Sequence, residues 1–175
     1  KMSHTGMQPG AALLPRIPDE SVCSTLLAQI PPQVAAHSRA VQRLALEMCD
    51  ALAAHGVRLN RSLLSAAALL HDICRTEPNH AFAGAQKLRD LGYPEIADIV
   101  AVHHDWSGGP FDESALLYLA DKYMQGDQRV TLEERFERSR AKCHTEQVLC
   151  AHDCRYRLAL EAQQQYDLLI GEKQP

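Results

Sequence analysis

Ser65-Ala66-Ala67-Ala68-Leu69-Leu70-His71-Asp72 is the stretch on which the fold turns. An apolar run of this kind seeks burial, yet it ends in an imidazole and a carboxylate. Asp is almost never fully buried unless it is paired or bound to a cation. Working outward, His37 stands upstream, and His80, His103, His104 and Asp121 follow downstream. Each falls in or beside a segment of helix-like apolar spacing. Imidazole and carboxylate ligands converging from several helices make a transition-metal site. A His-Asp dipeptide alone arises by chance; the ordered set does not.

The flanking segments predict helices throughout. A short helix over Glu20 to Ile30 stops at Pro31-Pro32, and Pro suits the first turn of the next, which runs to His55 with Gly56 just beyond it. Val34, His37, Val41, Leu44 and Met48 form its apolar stripe. Asn60 caps a helix through Ile73, and Asn79 caps one ending at Gly92. Pro94 opens a helix ending at His103-His104, and Ser107-Gly108-Gly109-Pro110 is a loop. Asp112 caps the helix carrying Leu116, Leu117, Ala120 and Asp121. Thr131-Leu-Glu-Glu134 is a capping box, and the remainder to about Ile170 reads as helical. No alternating strand pattern and no internal repeat is present. The expectation is an all-α helical bundle in one domain over residues 20–171, with tails at 1–19 and 172–175.

Composition narrows the class. The 175 residues suffice for one domain with a real core, and Ala and Leu favour helices. A net charge of −4 and a pI near 6.1 give no basic footprint for nucleic acid. No apolar stretch approaches the ~20 residues that span a bilayer, and no signal pattern opens the chain, so the expected compartment is the cytoplasm. The six cysteines are then expected to be reduced and mostly buried. The first residue is Lys1 rather than Met, which fits a tag or a fragment of a longer fused chain.

The order His37, His71-Asp72, His80, His103, Asp121 resembles the HD superfamily of metal-dependent phosphohydrolases, whose minimal pattern is H…HD…D, over roughly residues 32 to 140. The strings His80-Ala-Phe-Ala-Gly-Ala85, Ile99-Val-Ala-Val-His103 and Tyr118-Leu-Ala-Asp-Lys122 are similar to the bacterial branch that hydrolyses diadenosine tetraphosphate symmetrically. The resemblance implies an HD-type helical bundle and a binuclear site held by His37, His71, Asp72, His80, His103 and Asp121. Asp72 would bridge the ions, and His104 would stand beside His103 facing the substrate. It implies iron, with Mn, Co or Zn also suited to the ligands, and a small phosphorylated substrate, a nucleotide and most specifically a dinucleoside polyphosphate.

The chemistry explains the mixture. Two metals about 3.5–4 Å apart acidify a water and neutralise charge on phosphoryl oxygens during in-line attack. Imidazole with carboxylate suits Fe, Mn, Co or Zn better than Mg. Arg75, three residues after Asp72, could hold a substrate phosphate, although a helix-end Arg is also a common solvated residue. Arg129, Arg135 and Arg138 could hold a polyphosphate, but interleaving with Glu133, Glu134 and Glu137 favours a solvated helix face.

Other features are weaker. A second pair, His152-Asp153, follows no buried segment and has no ordered partners downstream. Cys143, His144, Cys150, His152 and Cys154 suggest zinc, but no Cys-x-x-Cys spacing exists, and Cys150 and Cys154 more simply fill a core stripe with Cys143 and Leu158. The HD-GYP branch, which cleaves cyclic dinucleotides, places Gly-Tyr-Pro after a His pair. Here Gly92-Tyr93-Pro94 precedes His103-His104. The segment from Asp72 to His80 is also shorter than in the tetraphosphate hydrolases. Two alternatives to the hydrolase stand: an HD-type diiron oxygenase, and a non-catalytic metal-binding module. Oligomeric state is not legible.

Overall fold

The Asp19 carboxylate accepts the Val22 amide hydrogen and opens α1 (Glu20–Leu27), the first helix of a computed structural model that describes residues 16–171. Of the expected tails at 1–19 and 172–175, residues 1–15 and 172–175 lie outside those described. The helix ends three residues short of Ile30, because Pro31 disfavours helical backbone at the residue before it. Pro32 sits in the first turn of α2 (Pro32–Ala54), and Gly56, at φ 84°, takes the left-handed conformation that closes it. Val41, Leu44, Ala45, Met48, Cys49 and Leu52 bury one face of α2, while Val34 and His37 are half-buried at its start.

The Asn60 side chain accepts from the Leu63 amide and starts α3 (Arg61–Leu70). This helix stops at Leu70, not Ile73. His71 is its cap, and the chain tightens into turns closed by Ile73 N to Leu70 O and Arg75 N to Asp72 O. Those turns leave His71 and Asp72 at the end of a buried helix. Next come α4 (His80–Asp90) and α5 (Pro94–Ala101). Asn79 does not cap α4 through its side chain; it adopts φ 53°, ψ 46°, a conformation Asn tolerates better than most residues. Helix α5 ends before His103-His104, which lie in the bend beyond it.

Asp112 caps α6 (Glu113–Lys122), every residue of which from Ala115 onward is buried. A hairpin follows, against the expectation of no strand: β1 (Met124–Gln125) pairs antiparallel with β2 (Gln128–Arg129) around Gly126-Asp127. Two-residue strands are too short to leave an alternating pattern. The capping box forms with both arms, Glu134 N to Thr131 Oγ1 and Thr131 N to Glu134 Oε2, opening α7 (Leu132–Arg140). A break over residues 141–145 then separates α7 from α8 (Glu146–Leu169), where one helical stretch was expected.

The cysteine stripe is corrected. Cys143 lies in the break and is half-buried, and Cys150 and Cys154 are exposed; α8 turns His152, Ala159, Ala162 and Tyr166 inward instead. Only Cys23, Cys49 and Cys74 are buried, and all six thiols are free. Helix α2 packs on α3 and α6, α4 pairs with α5, and α8 closes over α6 and α7. Among the described residues, no helix is long and apolar enough to cross a membrane. The architecture is an all-α bundle in one domain.

Candidate metal centre

Three imidazoles are oriented alike by backbone carbonyls. His71 Nδ1 donates to Ala68 O at 2.8 Å, His103 Nδ1 to Val100 O at 2.6 Å, and His37 Nδ1 to Gly126 O at 2.7 Å. A carbonyl only accepts, so Nδ1 carries the proton in each ring and Nε2 is presented as the ligand atom. For His71 and His103 the carbonyl lies one turn back in the same segment, at the end of a helix. For His37 it comes from the hairpin, which explains why a turn with no visible strand pattern matters to the site.

These Nε2 atoms converge on two carboxylates from the ends of α3 and α6. Asp121 Oδ1 lies 3.0 Å from His37 Nε2 and 3.6 Å from His71 Nε2. Asp72 Oδ2 lies 3.6 Å from His71 Nε2 and 3.9 Å from His37 Nε2. The other oxygen, Oδ1, lies 3.3 Å from His80 Nε2 and 3.5 Å from His103 Nε2. Asp72 therefore divides two groups of ligand atoms, one with His37 and His71, the other with His80, His103 and His104.

The donor set fits divalent cations. His71 Nε2, His103 Nε2 and Asp72 Oδ1 are buried and have no hydrogen-bond partner among the described residues. Leaving such atoms unpaired costs about 1–3 kcal/mol each. His71 and His103 fall in different groups with Asp72 common to both, and a cation in each group would give these atoms the partners they lack. Mixed nitrogen and oxygen ligands suit transition metals.

Burial opposes the charge on Asp121, but Lys122, His37 and His71 outweigh it and hold the carboxyl well below its ordinary range. Asp72 behaves likewise: burial pushes up, and His103 and His71 bring it down further. Burial also works against a charged His71, yet Asp121 and Asp72 shift it upward overall. His80 is lowered by burial against the pull of Asp72, and burial with His103 and Lys122 pushes His104 down to about 2.

All six expected ligands meet at this point. His104 lies beside them, its Nε2 2.6 Å from His80 Nε2, and lines the cavity over the cluster. Arg75 is exposed at the mouth, with Nε 3.5 Å from Asp72 Oδ2. Of the three later arginines, Arg129 pairs with Glu47 at 3.7 Å and Arg138 donates to Gln125 Oε1 at 2.6 Å. Arg135 alone of the three lines the cavity, against the expectation that it belongs to a solvated face. Lys122 was not singled out from the sequence. It is a buried cation whose Nζ lies 2.7 Å from Asp121 Oδ2, signalled only by an Asp-Lys pair closing an apolar helix.

The second His-Asp pair is a tie between helices. His152 is buried, with Nε2 2.7 Å from Ser139 Oγ and 3.0 Å from Phe136 O, joining α8 to α7. Neither it nor any cysteine belongs to a group of three potential ligands among the described residues.

Comparison with known proteins agrees with this geometry. The HD domain model matches residues 34–149, a span that contains every residue of the cluster. An uncharacterized protein of Methanocaldococcus jannaschii is 33% identical over 106 residues, 58% of this chain and 60% of that protein. A tRNA (cytidine(56)-2'-O)-methyltransferase of Picrophilus torridus is 31% identical over 115 residues, 63% of this chain but 32% of that protein. The chain thus spans less than two thirds of either relative. No solved structure matches. With the matched span enclosing a two-part His/Asp cluster of this order and burial, the chain belongs to the HD domain family.

Proposed function

We propose that the protein is a metal-dependent phosphohydrolase that cleaves a phosphoester or phosphoanhydride of a nucleotide, a dinucleoside polyphosphate being the best specific candidate. The observation that supports this most directly is the division of the ligand atoms into two groups that share Asp72, with His71 Nε2, His103 Nε2 and Asp72 Oδ1 buried and without a hydrogen-bond partner among the described residues. His37, His71 and Asp121 would hold one ion, His80 and His103 the other, with Asp72 shared. Divalent ions bound there supply an acidified water and neutralise charge on phosphoryl oxygens.

The chain's own groups do the remainder. Lys122 holds Asp121 in place, and the carbonyls of Ala68, Val100 and Gly126 fix the imidazoles. Arg75 stands where it can take a phosphate oxygen at the mouth. His104, whose charged form burial disfavours, lines the same cavity, where its ring can hydrogen-bond the substrate. Iron and manganese are the preferred ions, with cobalt and zinc compatible with the same ligands.

A second reading rests on one observation. In the Picrophilus relative the similar stretch is 32% of a protein named for RNA methylation. That arrangement favours an HD unit serving as a metal-binding module beside another activity. The acidic balance of this chain gives no support to its binding RNA itself.

The deciding experiment is product analysis after adding diadenosine tetraphosphate to protein loaded with iron(II) or manganese. ADP as the sole product supports symmetrical cleavage by attack of water. Near-wild-type activity in His71→Ala sinks the hydrolase assignment, and metal-loaded protein inert towards a wide panel of phosphate compounds favours the module.

A further inference from the structure

Two cavities meet at Arg135 and His104. One, of about 240 Å³, lies over the metal cluster and is bordered by His37, Asp72, Arg75 and Asp121. The other, of about 410 Å³, runs between α7 and α8. That volume suits a ring-sized organic group, for which pockets of roughly 300 Å³ and above are usual.

The larger cavity has a distinctive charge. In a chain of net charge −4, no Asp or Glu lines it among the described residues, whereas Lys122, Arg135 and Arg155 do. Lys122 is neutralised by Asp121, and Arg155 donates to Asp105 at 2.9 Å. The half-buried Arg135 guanidinium has no acidic or hydrogen-bonding partner among the described residues, and it sits at the neck. Beyond the neck, Phe136, Val148 and Ala151 offer apolar wall, and Ser139 and Gln147 offer polar atoms. Val148 is half exposed here, an apolar side chain without cover.

We propose that this cleft takes an organic diphosphate or longer phosphoanhydride. Its scissile phosphoryl lies at the metal cluster, its next phosphate on Arg135, and its organic group in the α7–α8 cavity. Arg135 is then the residue that selects phosphoanhydrides over inorganic phosphate and simple monoesters. The reaction consequence rests on the phosphohydrolase reading. Water oxygen bonds to phosphorus, and the bridging P–O bond breaks with its electron pair going to the phosphate held by Arg135. One water proton is released to solvent. The planar guanidinium suits that leaving phosphate because it offers two parallel donors.

The test uses full-length, manganese-loaded protein and two probes: the α,β-methylene analogue of ADP, which cannot be hydrolysed at that bridge, and inorganic phosphate. Isothermal titration should show Arg135→Ala weakening the analogue by about tenfold or more, with phosphate affinity and metal content unchanged. Arg135→Lys should recover only part of the loss. An unchanged affinity, or an equal loss for both probes, overturns the proposal. Hydrolysis of diadenosine tetraphosphate by wild type that Arg135→Ala leaves intact overturns the role of Arg135 and spares the phosphohydrolase. Selective loss of binding, with no phosphoanhydride turned over by wild type, does the reverse.

Discussion

Lys122 Nζ lies 2.7 Å from Asp121 Oδ2, with both side chains almost wholly inside the protein. Adjacent residues on a helix normally diverge, and here they meet because α6 ends at Lys122. Nζ also lies 4.8 Å from the Tyr118 ring centre and 3.5 Å from His103 O, so the ammonium is bounded on three sides. The pair connects a candidate ligand of one group to the backbone of a candidate ligand in the other.

Lys122→Met should therefore destabilise metal-free protein by roughly 3 kcal/mol, since it leaves a buried carboxylate short of a counter-charge. A cation at the cluster shares the charge of Asp121, so the loss should shrink in metal-loaded protein. Urea unfolding of both forms checks this, and equal losses with and without metal would refute it.

The split of Asp72 between two groups makes a sharper claim about stoichiometry. Wild-type protein should bind about two ions per chain, as a bridged site requires. Asp72→Ala should lose both, His71→Ala chiefly the ion beside His37, and His103→Ala chiefly the one beside His80. Elemental analysis after manganese loading reads this directly. Full retention of metal by Asp72→Ala would dispose of the bridge. Hydrolytic activity in the two histidine variants should fall by more than about 100-fold.

Metal binding should also release protons. In metal-free protein His71 is shifted above its ordinary value of 6.5, because Asp121 and Asp72 outweigh burial. A group raised on folding contributes stability that is complete below its unfolded value and disappears as pH rises through the folded one. A metal ion needs the neutral ring, so it competes with that proton, and affinity should weaken as pH falls through the raised value. Titrating manganese near pH 7 in two buffers of different protonation enthalpy should give different heats. Identical heats would falsify the proton release.

Much of this centre is legible in the sequence, for physical reasons that also explain what is hidden. His71 and Asp72 declare themselves because polar groups end a run that must be buried. Asn60, Asp112 and Thr131 mark helix starts because their own side chains make the caps. Asn79 looks the same in sequence, yet it works through left-handed backbone, which leaves no side-chain signature. The hairpin at 124–129 is carried by Gly126-Asp127 and two pairs of residues, below the length at which alternation shows. Gly126, at φ 60°, is the one local clue. Arg135 was hidden by its company: glutamates on both sides of it in sequence are exposed, and only the break after α7 brings α8 round to form a cavity against it.

Gly84 provides a last test of how tightly the site is built. It lies inside α4, where glycine costs roughly 0.5–1 kcal/mol relative to Ala. A Cβ there would meet Ile73 Cγ2 at 3.4 Å and Val100 Cγ1 at 3.5 Å, contacts at the close end of ordinary packing. Gly84→Ala should therefore stabilise by about 0.5 kcal/mol and leave metal content unchanged. Gly84→Leu cannot fit without moving α4 off the turn that follows His71, at a cost of roughly 1–3 kcal/mol. Because His80 begins the same helix, that shift should weaken the ion beside His80 and His103 more than the one beside His37. Thermal melting with metal analysis distinguishes the cases. A destabilised Ala variant would refute the room argued for a methyl group, and a Leu variant with both ions intact would show that α4 does not set the position of His80.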